Sequence, residues 1–263
     1  MRMRRKPNLD TRTERCSFLL ASDPGALRGR WLDAIRPGTT SPEARRPDLL
    51  GADAGHPDEV HPDGLYSGLY SGLQSGGLYS GNLHTDMSHY DGLHVELGCG
   101  KGLFTIGSAK AEPGRLFVAI EKISNVLVIA LERAAAEDLQ NVLFINALVD
   151  DVAEFFAGGE VSRLYINFCD PWPANRHIKR RLTGRRFLEM YRLLLCPGGE
   201  IHFKTDNLPL FEFSLHEFEV CGFELLETER DLHRNGPVGV MTDYESKFYS
   251  LGLPIYRCVA RLG

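Results

Sequence analysis

The sequence predicts an α/β fold, a mostly parallel sheet with helices on both faces. Three observations lead there. From Leu93 to the C-terminus, short apolar runs alternate with segments of helical periodicity, the pattern that crossover helices impose on parallel strands. A glycine-rich turn follows the first apolar run and opens a helix. Apolar runs also end in polar groups such as Glu121 and Asp170, beyond the carboxyl ends of strands, where such sheets hold their ligands.

The elements follow in order. His94–Leu97 is a short strand, and Lys101–Ala111 is a helix. Leu116–Glu121 is a second strand; Ser124 is placed to cap the next helix, whose apolar face is Leu127, Ala130, Leu131, Ala134 and Ala135. Val142–Asn146 and Arg163–Phe168 are further strands. A helix after Thr183 shows Phe187, Leu188, Tyr191, Leu194 and Leu195 and stops at Cys196-Pro197-Gly198-Gly199. Ile201–Lys204, Glu224–Thr228 and Ile255–Ala260 bring the strands to seven.

Ahead of this domain (residues 93–263) lie two segments of different composition. Residues 1–36 form a basic arm with Arg2, Arg4, Arg5, Lys6, Arg12 and Arg15, then an amphipathic patch around Leu27–Ile35. Residues 37–92 are rich in Gly, Pro, Ser and Asp and carry tetrapeptides beginning at Gly64, Gly68, Gly72 and Gly77, mostly Gly-Leu-Tyr-Ser. Repeats this short are no solenoid unit, and ordering so much glycine is costly. The segment reads as a disordered insertion, with sticky Leu/Tyr contacts as the alternative.

The chain of 263 residues is 43% hydrophobic and 25% charged, enough to bury one good core. A net charge of −5 excludes a polycation, so a nucleic-acid partner needs a local basic patch. The six cysteines are scattered without a Cys-x-x-Cys pair, which speaks against a zinc site or disulfide framework and for a reducing cytosol. His84, His89 and His94 recur every five residues and read as loop residues rather than ligands, so no metal is expected. No secretory signal or membrane-spanning apolar run is found.

The chemistry starts at Val95-Glu96-Leu97-Gly98-Cys99-Gly100-Lys101-Gly102. Glycines permit a tight turn and let a ligand approach the backbone. The G-x-G-x-G spacing differs from the dinucleotide fingerprint, and Glu96 would repel a pyrophosphate. A cationic ligand such as the methionine part of S-adenosylmethionine suits Glu96 better. Glu121, ending the next strand, can accept both hydroxyls of a ribose. Asn146, after the third strand, is placed to contact an adenine.

After the fourth strand comes Cys169-Asp170-Pro171-Trp172-Pro173, with Asp170 just past the strand end that would face a transferable methyl group. Pro171 and Pro173 stiffen the backbone. Arg176, Lys179, Arg180, Arg181, Arg185 and Arg186 then place six cations in eleven residues, a phosphate-attracting patch that also holds His177. Cys99 and Cys169 both sit at strand ends; packing as small apolar groups is favoured over an oxidation switch.

The DPWP segment (170–173), RHIKRRL (176–182), IHFKTDN (201–207) and TDYESKF (242–248) resemble the bacterial tRNA (guanine-N7)-methyltransferase family, as does the N-terminal MRMRRKP. The likeness covers about residues 1–36 and 93–263, leaving 37–92 as an insertion. It implies a Rossmann-like class I methyltransferase with a seven-stranded sheet, S-adenosylmethionine as methyl donor and a guanine in the tRNA variable loop as target. It implies Asp170 as the catalytic residue, also touching the cofactor. Glu96, Gly98, Gly100, Gly102, Glu121 and Asn146 would hold the cofactor. Asp206, Thr242, Asp243, Tyr244 and Glu245 would hold the guanine, and Arg176, His177, Lys179, Arg180 and Arg181 the RNA.

Two positions depart from the family. Leu148 stands where the family has an Asp near the adenine, with Asp150 or Asp151 as substitutes. Ala174 stands where it has a Lys, with Arg176 or Lys179 as substitutes. The competing readings are an amino-methyltransferase acting on adenine N6 or cytosine N4, for which Asp170-Pro-Trp-Pro is a near miss, and a non-catalytic RNA-binding protein that has kept the fold.

Overall fold

The computed structural model describes residues 5–35 and 90–263. Most of the segment read as an insertion, together with His84 and His89, lies outside the described residues. Seven strands form one sheet in the order β3-β2-β1-β4-β5-β7-β6. They are β1 (Leu93–Leu97), β2 (Leu116–Ile120), β3 (Val142–Ile145), β4 (Val161–Asn167), β5 (Leu195–Thr205), β6 (Phe223–Glu229) and β7 (Tyr256–Leu262). β1 to β5 are parallel; β7 runs antiparallel to β5 and β6. Chain order reverses between β1 and β4, the switch point at which open α/β sheets leave a crevice.

Alternation along the strands feeds two cores. On one face, Phe117, Phe144 and Tyr165 meet Phe104 and Ile106 of α3 (Leu103–Ala111) and Leu127, Ala130 and Leu131 of α4 (Ser124–Ala136). On the other, Val95, Leu97, Val118, Ile120, Leu164, Ile166, Ile201 and Phe203 are covered by α5 (Val152–Phe155), α6 (Arg185–Leu194) and α7 (Leu208–Val220). With both faces covered, β2 and β3 read as continuous apolar runs.

Four expectations need correction. Ser124 is the first residue of α4 rather than its cap, and its hydroxyl donates to Asn146 Oδ1 at 2.8 Å. Cys196-Pro197-Gly198-Gly199 does not separate α6 from a strand, because β5 starts at Leu195 and runs through it. His94 is no loop residue but a buried member of β1, its ring edge-on to Phe117 and Tyr165. Tyr90 is buried as well, its hydroxyl bonded to the Gln140 carbonyl, so the folded domain starts before Leu93.

The described part of the N-terminal arm packs along the β3 edge of the sheet. Leu20 forms a parallel bridge with Phe144, and the Ala21 amide donates to the Phe144 carbonyl at 2.9 Å. α1 (Leu9–Arg15) is tied to α4 by Arg12 on Glu132. After it, α2 (Trp31–Ala34) buries Trp31 completely, with the indole N–H on the Phe155 carbonyl at 2.9 Å. A bare sheet edge invites foreign strands; the arm covers part of this one.

Candidate active site

Two cavities open at the carboxyl ends of the parallel strands and share Gly98, Asn167 and Phe168. The main cleft, about 590 Å³, is bordered by Glu121, Lys122, Ile123, Ala147, Leu148, Cys169, Asp170, Trp172 and Lys179, among others. The smaller one, about 420 Å³, is bordered by Glu96, Cys99, Gly100, Lys101, Phe104, Thr242, Asp243, Tyr244 and Lys247, among others.

The glycine turn divides them. Gly98, Gly100 and Gly102 have φ of 82°, 58° and 77°, a region that favours glycine. A Cβ at Gly98 or Gly100 would meet nothing within 4 Å, so both lie open to an approaching ligand. At Gly102 a Cβ would come within 2.7 Å of the Ala130 side chain, so this glycine lets α3 approach α4.

The first three strand ends turn their polar groups inward. Glu121 accepts from the Gly100 amide at 3.1 Å and the Ile123 amide at 2.8 Å, bracing the turn from below. Asn146 donates to the Glu121 carbonyl at 2.7 Å. It does not border the main cleft, where Ala147, Leu148 and Val149 provide an apolar wall instead. Glu96 is buried and accepts from Thr105 and, at 2.9 Å, from Asn167. Burial raises its pKa, opposed by these hydrogen bonds.

The next two strand ends turn outward. Asp170 is exposed at the rim of the main cleft, between Phe168 at φ 52° and Trp172 at φ 41°. Such left-handed conformations in bulky residues store strain and persist only where the surroundings enforce them. Asp206, past β5, borders neither cavity but accepts from the Tyr244 hydroxyl at 3.4 Å. The Tyr244 ring lies 5.2 Å from Phe168 and stacks on Phe248 at 4.5 Å, an aromatic wall that the sequence reading missed at Phe168.

The Thr-Asp-Tyr-Glu segment opens α8 (Asp243–Ser250) as a capping box. Asp243 pairs with Arg133 at 2.8 Å, and Arg133 also holds the Lys101 carbonyl at 3.1 Å, which ties α8 to the glycine turn. Glu245 corrects an expectation. It is 0% exposed, and its carboxylate takes Lys204 at 3.0 Å, His233 at 2.9 Å and the Thr242 amide at 3.2 Å. It faces the interior and holds the segment that carries Tyr244.

The cationic run is also divided. Residues Asn175–Arg180 form a short helical turn on which Lys179 is exposed and borders the main cleft. Arg180 lies over the Trp172 ring at 4.7 Å, and His177 tilts against the same ring at 5.5 Å. Arg176 is exposed, its Nε 3.1 Å from the His177 ring. Arg181 differs, because its guanidinium donates to the Pro171 and Trp172 carbonyls rather than reaching outward. Arg186 pairs with Asp150 at 3.0 Å; that acid does border the main cleft near Leu148. Of the two substitutes for the lysine missing at Ala174, Lys179 borders the cleft and Arg176 does not.

Four exposed lysines, Lys101, Lys122, Lys179 and Lys247, rim the two cavities and have no ion pair among the described residues. Burial pushes the Cys169 thiol up to about 12 and Cys99 well above the ordinary range, so neither supplies a thiolate at neutral pH. Among the described residues no group of three or more His, Cys, Asp or Glu could hold a metal ion, and no helix is long and apolar enough to cross a membrane.

A glycine turn at the switch point of such a sheet, an acid under it and an open acid after β4 define a class: the S-adenosylmethionine-dependent methyltransferases of Rossmann-like fold. Comparisons with known proteins agree. Residues 91–258 match the family model described as "Putative methyltransferase". The tRNA (guanine-N(7)-)-methyltransferase of Halalkalibacterium halodurans is 47% identical over 72% of this chain and 86% of its own length. That of Bacillus subtilis is 44% identical over 68% and 84%. The solved 16S rRNA methyltransferase KamB superposes with a TM-score of 0.52 at 16% identity, over 66% of this chain and 89% of its own, a likeness of fold alone. The chain belongs to the tRNA (guanine-N7)-methyltransferase family.

The residues present suit the methyl donor of that class. The two open glycines leave backbone accessible, and Asn167, which borders both cavities, has a buried Oδ1 with no partner among the described residues. The main cleft is within the roughly 300–1,000 Å³ usual for small-molecule sites. Glu121 keeps lone pairs beyond the two its amide bonds engage, enough to accept hydroxyls.

Proposed function

We propose that this protein methylates N7 of a guanine in tRNA, in the variable loop, giving 7-methylguanosine. The observation that carries this reading is the exposed Asp170 at the rim of the cleft that starts at the glycine turn, with unpaired lysines around it.

S-adenosylmethionine, when bound, supplies an electrophilic sulfonium methyl group. Gly98, Glu121 and the wall of Ile123, Ala147 and Leu148 would hold it, with Gly100 and Glu96 in the adjoining cavity, and Gly102 sets the turn. Asn146 acts behind Glu121.

Guanine N7 carries an in-plane lone pair and no proton at neutral pH, so no general base is needed. The protein must align and stabilise. Phe168 and Tyr244 offer stacking faces for the base, worth about 1–3 kcal/mol per base in nucleic-acid sites. Asp170 accepts the guanine N1–H and N2–H donors, which adenine lacks, and favours the positive charge that grows on the ring. Asp206 supports Tyr244, while Thr242, Asp243 and Glu245 fix its helix. Lys179, Arg176 and Arg180, with His177, meet the phosphates, joined by the other rim lysines. The same reading places the enzyme in the cytoplasm, consistent with six free thiols.

Nucleoside analysis after incubating the protein with unmodified tRNA and labelled methyl donor tests this. Label in 7-methylguanosine is expected. Label in N6-methyladenosine or N4-methylcytidine, or none with folded protein, refutes it.

A further inference from the structure

Arg181 sits in the middle of the cationic run, yet none of its geometry points to an RNA backbone. Its Nε donates to the Pro171 carbonyl at 3.0 Å and its Nη2 to the Trp172 carbonyl at 3.1 Å. The guanidinium lies over the Phe213 ring, with Cζ 4.3 Å from the centroid. Phe213 belongs to α7, the helix that starts just after Asp206. One side chain therefore links the loop after β4 to the helix after β5.

The neighbouring residues repeat this attachment. Thr183 and Ser214 are both fully buried, with hydroxyls 2.6 Å apart. Ser214 donates to the Leu210 carbonyl, so Thr183 is the donor between them. The Arg185 amide donates to Glu217 at 2.9 Å. Residues 181, 183 and 185 thus grip α7 at 213, 214 and 217, whereas residues 175–180 lie outside this strap.

The loop so held is the strained one. Phe168 and Trp172, two residues either side of Asp170, are the left-handed positions. Each costs about 1–3 kcal/mol and needs surroundings that over-determine it. A forked guanidinium on two successive carbonyls is such a constraint, and a lysine cannot reproduce it.

We propose that Arg181 is a positioning residue for methyl transfer: it braces the strained Asp170 loop against α7 and does not contact the RNA backbone. This rests on Asp170 serving the transfer, as proposed above.

The test compares full-length Arg181→Lys and Arg181→Ala with wild type. Single-turnover rate at saturating tRNA is measured, together with the salt dependence of tRNA affinity. A loop displacement on the order of 1 Å costs about 100-fold in rate, so both variants should lose about 10- to 100-fold. The log–log salt slope of Arg181→Ala should match wild type, because no phosphate contact is lost. Phe213→Leu, which removes the seat from the other side, should lower the rate without changing the slope; thermal melts confirm that each variant is folded. A wild-type rate in Arg181→Lys overturns the proposal, as does a salt slope smaller by about one in Arg181→Ala. If Asp170→Ala also keeps the wild-type rate, the catalytic reading fails; if only Arg181→Lys keeps it, the brace alone fails.

Discussion

The ends of β1 to β3 and the ends of β4 and β5 carry the same kinds of residue and use them in opposite ways. Glu96, Glu121 and Asn146 fold back onto hydroxyl, amide and carbonyl groups of the protein, and Glu121 braces the glycine turn. Asp170 is exposed, and Asp206, half-buried, accepts a long hydrogen bond from the Tyr244 hydroxyl at 3.4 Å. A strand-end acid is thus a builder at β1 and β2, whereas past β4 Asp170 is left open. What decides is whether donors of the fold claim its oxygens: the side chains of Thr105 and Asn167 at Glu96, the Gly100 and Ile123 amides at Glu121.

The largest effect expected on the builder class concerns Glu245, outside both sets of strand ends. Glu245→Ala leaves Lys204 and His233 buried without their carboxylate, and such a loss costs about 3–5 kcal/mol. A denaturant midpoint equal to wild type would return Glu245 to the open class.

Two glycines sharpen the comparison next. Gly102→Ala forces a Cβ to 2.7 Å from Ala130 at a positive φ and should destabilise by about 2–4 kcal/mol. Gly98→Ala meets nothing, so it should cost only the backbone strain, about 1–2 kcal/mol, while weakening cofactor binding in calorimetry. Equal stability losses would show that Gly98 is structural too.

Burial holds the β1 histidine His94 at about 3 and the β5 histidine His202 at about 4, against 6.5 when free. Both pKa values are lowered, so below about 6.5 the unfolded chain takes up protons that the folded one refuses, and stability falls with pH. Between about pH 6 and 4, wild type should lose up to about 1.4 kcal/mol per pH unit more than His94→Phe. Parallel stability curves would contradict the burial.

The smallest effect lies on the open side. Lys179→Gln removes one unpaired cation from the cleft rim and should lower the salt slope of tRNA affinity by about one or slightly less. An unchanged slope would move the RNA path elsewhere.

Much of this was legible in the sequence because the signals are local. β2 and β3 are unbroken runs of apolar residues, the other strands carry apolar stretches, and the glycines at 98, 100 and 102 announce the turn. The orientation of side chains at the strand ends was not legible. Glu121 and Asp170 look alike in sequence; only the amides of Gly100 and Ile123, brought close by the fold, separate them. Arg181 lies beside Lys179 and Arg180, and nothing local reveals the carbonyls it reaches or Phe213 beneath it. One missed signal was available: Lys204 lies within a strand with both faces covered, so its charge required a buried partner, and Glu245 is that partner.

The most direct test measures single-turnover methylation of tRNA by Asp170→Ala alongside its affinity for S-adenosylmethionine. The rate should fall by about 100-fold or more, with cofactor affinity changed far less. A wild-type rate in the folded variant would contradict the assignment of the open acid after β4 to the reaction.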